Sequence, residues 1–97
     1  MKATFSMGQL VMTRGIADQV EESKEFAEFV RKSLHRYIFG DWGDLCEDDK
    51  RQNDEAAANG DDRILAAYIP PQHPELKIWI ITEWDRSATT VLFPSEY

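Results

Sequence analysis

The chain has 97 residues, and 18 Asp and Glu against 11 Lys and Arg give it a formal charge of −7. A chain of this length forms one domain and hides only about 60–65% of its unfolded surface, which leaves no room for an elaborate catalytic cleft together with a cofactor fold. Rossmann, TIM-barrel and kinase architectures are excluded on size, and with 42% hydrophobic and 11% aromatic residues the composition lies well away from that of disordered chains.

The first predicted element is a short strand over 8–14, GQLVMTR, with Leu10 and Met12 pointing one way, Val11 and Thr13 the other, and Gly15 ending it. Ile16 to Glu22 has room for a helical turn. Ser23 then stands as the N-cap of a helix from Lys24 to about Phe39. Phe26, Phe29, Val30, Leu34, Tyr37 and Ile38 recur at spacings of three and four, while Lys24, Glu25, Glu28, Arg31, Lys32 and Arg36 cover the other side. Gly40 sits where a left-handed residue closes a helix.

After the connector Asp41-Trp42-Gly43, the run Asp44-Leu45-Cys46-Glu47 has a capping-box-like spacing that opens a second helix to about Ala58, closed by Asn59-Gly60. This helix is nearly all polar. Leu45 and Ala56-Ala57-Ala58 are what it has to bury, so shallow packing with most of its charge exposed is expected.

Ile64 to Ile69 form an apolar strand stopped by Pro70-Pro71, and Pro74 keeps the connector extended. Leu76 to Trp84 is the strongest strand pattern: Leu76, Ile78, Ile80, Thr82 and Trp84 on one side, Lys77, Trp79, Ile81 and Glu83 on the other. Asp85-Arg86-Ser87 makes a tight connection to a last strand, Ala88 to Phe93, ended by Pro94. The prediction is a single α+β domain over 1–97 in the order β-α-α-β-β-β. An antiparallel β-sheet of about four strands packs on one amphipathic helix, with the acidic helix at an end or edge.

The charge is concentrated. Between Asp41 and Asp62 stand Asp41, Asp44, Glu47, Asp48, Asp49, Asp54, Glu55, Asp61 and Asp62 against Lys50 and Arg51, a balance of −7, and the other 75 residues balance to zero. A field of one sign restricted to 22 residues repels nucleic acid and attracts a basic partner surface. Charge runs are also common as plain solvated faces. Aromatic usage is the second unusual feature: of Trp42, Trp79 and Trp84, Trp42 lies in a glycine-flanked connector, either plugging the core from outside or presenting an anchor at an interface.

Catalytic and metal chemistry have little to stand on. Two histidines, His35 and His73, and one cysteine show no metal-ligand spacing. Asp41-Trp42-Gly43-Asp44 lacks the alternating oxygens and terminal Glu of an EF-hand loop. Cys46 has no partner for an internal disulfide, and its acidic neighbours oppose thiolate formation. His35 is placed as a packed helix residue and His73 as a solvated one. No cofactor and no enzymatic role are expected. The N-terminus has no apolar core of a signal peptide, and nothing approaches the roughly 20 apolar residues of a membrane span, so a cytoplasmic location is expected.

Over nearly its whole length the chain resembles a family of small proteins encoded on plasmids, integrative elements and phages of bacteria, of the kind labelled "plasmid-related protein". The residues that carry the likeness are GQLVMTRGIAD at the start, Phe26 to Asp49 with Gly40-Asp41-Trp42-Gly43-Asp44-Leu45-Cys46-Glu47, and Lys77 to Tyr97. The resemblance carries no catalytic residue to any position. It implies a mobile-element cargo protein, and small acidic cargo of that kind is often anti-CRISPR or anti-restriction. The expectation is an inhibitor whose 41–62 surface mimics nucleic-acid phosphate and docks on the basic groove of a CRISPR effector or restriction enzyme. The alternative is an interaction module or small regulator, pairing as a homodimer through an edge strand or a Trp-bearing surface.

Overall fold

The computed structural model describes residues 5–60 and 62–97. In them the chain runs β1 (Gln9–Met12), α1 (Arg14–Glu22), α2 (Lys24–Ile38), α3 (Glu47–Asn59), β2 (Ile64–Tyr68), β3 (Ile78–Thr82) and β4 (Ala88–Leu92). Single 3-10 turns follow at Pro74–Leu76 and Pro94–Glu96. The protein is α+β, with three helices where two full helices were expected, in the order β-α-α-α-β-β-β.

The additional helix is α1. Thr13, expected at the end of a strand, is its N-cap: Oγ1 accepts the N–H of Ile16 at 3.4 Å and donates to Glu96 Oε1 at 2.6 Å. The other Glu96 oxygen accepts the N–H of Gly15 at 3.1 Å. A carboxylate from the far end of the chain thus stops the strand at Met12 and supports the first helical turn, where orphan N–H groups favour negative charge. Burial pushes the Glu96 carboxyl up, but the bonds from Thr13, Phe93 and Gly15 outweigh it, and its pKa falls below the usual value.

Ser23 serves two helices. Its N–H bonds Gln19 O at 3.0 Å to finish α1, and its Oγ accepts the Phe26 N–H at 3.1 Å to begin α2, as the spacing predicts. At the far end Gly40 has φ +83°, and the bonds Asp41 N–H to Arg36 O (2.9 Å) and Gly40 N–H to Tyr37 O (3.1 Å) close α2 in a Schellman motif.

The strands form one sheet in the order β1-β4-β3-β2. β2 with β3 and β3 with β4 are antiparallel, but β1 pairs with β4 in parallel, Leu10 opposite Thr89 and Met12 opposite Val91. The sheet is therefore mixed where an antiparallel one was expected. Short turns set the direction of the strands they join, whereas three helices separate β1 from the rest and their path decides how it returns. β1 is also shorter than expected and lies at an edge, with all four residues exposed.

One core joins Ile64, Ala66 and Tyr68 of β2, Ile78 and Ile80 of β3 and Val91 of β4 to Ile16, Phe26, Val30, Tyr37 and Ala56 of the helices, with Trp42 among them. Complete burial of the Ile, Val and Phe side chains among them contributes about 1.5–3 kcal/mol each. Through this core runs a chain of hydroxyls: Tyr37 Oη to Thr82 Oγ1, Thr82 Oγ1 to Thr89 Oγ1, and Thr89 Oγ1 to Met7 O, each 2.7 Å. Every hydroxyl has one proton. Thr89 gives its proton to a carbonyl, so Thr82 donates to Thr89 and Tyr37 to Thr82, with the Ile64 carbonyl a second, longer acceptor of the Tyr37 proton at 3.3 Å. Burial raises the Tyr37 pKa well above the ordinary phenol value, and the hydroxyl stays protonated. Among the described residues no buried side-chain nitrogen or oxygen lacks a hydrogen-bond partner.

Candidate functional site

The acidic segment is built onto the outer edge of β2, and its residues divide into two groups. The first group does structural work. Asp41 takes the Arg36 guanidinium in a two-point pair, Nε to Oδ2 at 2.8 Å and Nη2 to Oδ1 at 3.1 Å, and Oδ1 also accepts the Gly43 N–H. The Arg36 hydrogen bond, against an opposing push from partial burial, holds the Asp41 carboxyl below the usual carboxylate range. Gly43 has φ +75° and bridges Ala67 in parallel, and a Cβ there would collide with Ala67 O and the Tyr68 ring. Asp44 donates its N–H to Ala67 O at 2.7 Å, and its Oδ2 accepts the Ile69 N–H at 2.9 Å.

Asp44 is therefore not the N-cap of α3, as its spacing to Glu47 suggested. That position belongs to Cys46, exposed and making no side-chain cap bond. Asp44 finds stronger employment at the β2 edge, where an unpaired strand N–H needs an acceptor. Asn53, 6% exposed, continues the same seal from α3: its Nδ2 donates to Leu65 O at 2.8 Å and its Oδ1 accepts the Leu65 N–H at 3.3 Å. One side-chain amide thus mimics a paired strand.

Trp42 is 3% exposed and belongs to the core, where its ring meets Phe5 and Tyr37 at centroid distances of 5.9 and 5.5 Å. The surface-anchor reading of Trp42 is corrected accordingly. Its Nε1 donates to Asp54 Oδ1 at 2.8 Å. Asp54, expected among the partner-binding acids, supplies the polar partner that a buried indole requires.

The second group is left facing outward. Glu47, Asp48, Asp49 and Glu55 are exposed on α3, whose buried residues are Asn53 and Ala56. Lys50 approaches Glu47 at 3.8 Å and Arg51 approaches Asp48 at 3.5 Å; exposed pairs of this kind contribute about 0–1 kcal/mol. Glu47, Asp48 and Asp49 occupy the first turn, where the helix dipole favours them. Asp62 is exposed and accepts the Arg63 N–H at 2.7 Å. Asp61 lies outside the described residues.

Sequence reasoning missed the attachment of a hairpin to the far end of α3. The β3–β4 hairpin carries Trp84, 64% exposed, beside Glu83 and Asp85. Arg86 holds the hairpin to the end of α3: Nη2 donates to Ala56 O at 2.7 Å and Nη1 to Asp62 O at 2.6 Å, with Glu83 O and Trp84 O also in reach. Arg86 has φ +62°, a left-handed backbone that a non-glycine residue adopts at a cost of about 1–2 kcal/mol, offset here by these charge-assisted bonds. The hairpin that carries the exposed indole is thus fixed to the C-terminal end of α3, the end opposite the first-turn acids. The odd choice of Arg in a turn position that suits Gly or Asn was the available signal.

Among the described residues no group of three His, Cys, Asp or Glu is placed to hold a metal ion. His35 is exposed with its ring on Phe39, centroids 5.0 Å apart, and His73 is exposed in the β2–β3 connector. No helix among the described residues is long and apolar enough to cross a membrane. Comparison of the chain with family models, with curated proteins and with solved structures finds no match.

Proposed function

We propose that the protein is a non-catalytic, stoichiometric inhibitor of a host nucleic-acid-targeting defence system, carried on a mobile element and acting foremost as an anti-CRISPR protein. Its acidic surface takes the place of nucleic-acid phosphate in a Lys/Arg-rich groove of a CRISPR effector or restriction enzyme. The observation that carries this reading is that Glu47, Asp48, Asp49 and Glu55 face outward on a helix fastened to the sheet through other residues, Asn53 and the Trp42–Asp54 pair. Charge held rigidly in this way speeds encounter with a basic groove and excludes nucleic acid from it. Trp84, rather than Trp42, is the aromatic residue available to such a partner.

The test is nucleic-acid cleavage by a panel of purified CRISPR effectors and restriction enzymes with the protein added at equimolar ratio. One of them should be inhibited, and the variant E47Q/D48N/D49N/E55Q, which spares Asp54, should lose that inhibition while remaining folded. Inhibition of none, or inhibition undiminished in the variant, overturns the reading. A second reading, a homodimeric interaction module, is favoured by β1: among the described residues no strand pairs with its outer edge, and Leu10, Val11 and Met12 are 46%, 39% and 38% exposed. Light scattering on the wild type and on V11K separates the two, since only a dimer through β1 would change mass.

A further inference from the structure

A cavity of about 570 Å³ opens where the α1–α2 corner faces the connector between β2 and β3, and among the described residues none that lines it belongs to the acidic segment. Its size falls in the range of about 300–1,000 Å³ typical of small-ligand sites. The floor is apolar: Phe26 is 4% exposed, Phe29 and Leu76 are half-buried, and Pro70 is buried beside them. The walls are preformed. Pro70, Pro71 and Pro74 restrict the connector, which is further closed by His73 N–H to Pro70 O at 3.2 Å and Leu76 N–H to His73 O at 2.9 Å. Opposite, the Ser23 cap fixes the angle at which α2 leaves α1.

The rim has one sign of charge. Glu25 and Glu75 contribute carboxylates, Gln19 and Gln72 contribute amides, and among the described residues no Lys or Arg lines the cavity. His73 stands with Nδ1 3.4 Å from Glu75 Oε2. An anion would meet like charge here, and a purely apolar guest would use the floor but not the rim carboxylates. A guest with an apolar body and a cationic end answers both features at once.

We propose that this cavity binds a small amphipathic organic cation, an arylalkylamine in chemical class. Its ring rests on Phe26, Phe29 and Leu76, and its ammonium group is held by Glu25 and Glu75. The site does not depend on the acidic surface or its partner.

Phenethylamine is the probe, followed by 1H–15N NMR titration of the full chain, with phenylacetate as the control of equal shape and opposite charge. Phenethylamine should give saturable shifts at Phe26, Phe29 and the 72–76 amides, while phenylacetate gives none there. The variant E25Q/E75Q, altered only at exposed positions, should keep the wild-type spectrum elsewhere and bind the amine about fivefold more weakly. Equal response to the acid, shifts centred elsewhere, no saturable shift, or unaltered affinity in E25Q/E75Q each overturn the proposal.

Discussion

The sheet with α2 and the segment 41–62 use charge in opposite ways. In the first, Arg31 answers Glu28 on α2, and beside the sheet Glu96 answers Thr13 at the α1 N-cap, so these charges close on nearby groups. In the second, Asp41, Asp44, Asn53 and Asp54 do the fastening, and Glu47, Asp48, Asp49 and Glu55 are left facing solvent. The lesson is that an acidic run is not one feature. Some of its carboxylates are demanded by the fold, and those that are not are the ones free to serve an interface.

Three perturbations probe that division, from the largest effect to the smallest. Trp42→Ala lies inside the acidic segment yet should behave as a core deletion, losing about 3–5 kcal/mol in urea unfolding. A loss below about 1 kcal/mol would mean that Trp42 does not join the segment to the core. Next, neighbours on one helix should part company. Asp54→Ala strands the Trp42 Nε1–H and should cost about 1–3 kcal/mol, whereas Glu55→Gln should stay within about 0.5 kcal/mol. Equal effects at 54 and 55 would erase the distinction between fastening and free acids.

The smallest effect is with pH. Asp41 has a folded-state pKa below its unfolded value, chiefly through its Arg36 hydrogen bond, and Glu96 is lowered as well. On acidification through the ordinary carboxylate range the unfolded chain takes up protons that the native state refuses, so stability present above that range is lost as pH falls. Urea midpoints measured along an acid series should decline, and Asp41→Asn should decline less steeply. Parallel curves for the two would remove Asp41 from the fastening set.

Much of this was legible locally. Ser23 and Gly40 bound α2 because caps depend on a few adjacent residues, and the β3–β4 hairpin announces itself by a short polar link between apolar runs. What escaped depends on residues distant in the chain. α1 begins at Arg14 because Glu96 meets Thr13 across 83 positions, and Asp44 leaves the cap of α3 for an N–H on Ile69. The identities of the acidic residues could be read directly, but their division could not. Whether Trp42 faced in or out was decided by the rings of Phe5 and Tyr37, which no spacing rule brings together.

The buried hydroxyl chain from Tyr37 to the Met7 carbonyl has an experimental use of its own. Because its protons run in one direction, from α2 across β3 and β4 to the turn before β1, the Thr82 and Thr89 hydroxyl hydrogens are shielded from exchange with solvent. They should give sharp resonances in water where surface hydroxyls give none. A variant or ligand that loosens the edge strand would quench the Thr89 signal first, so the molecule carries an internal gauge of its parallel pair that leaves the acidic surface untouched.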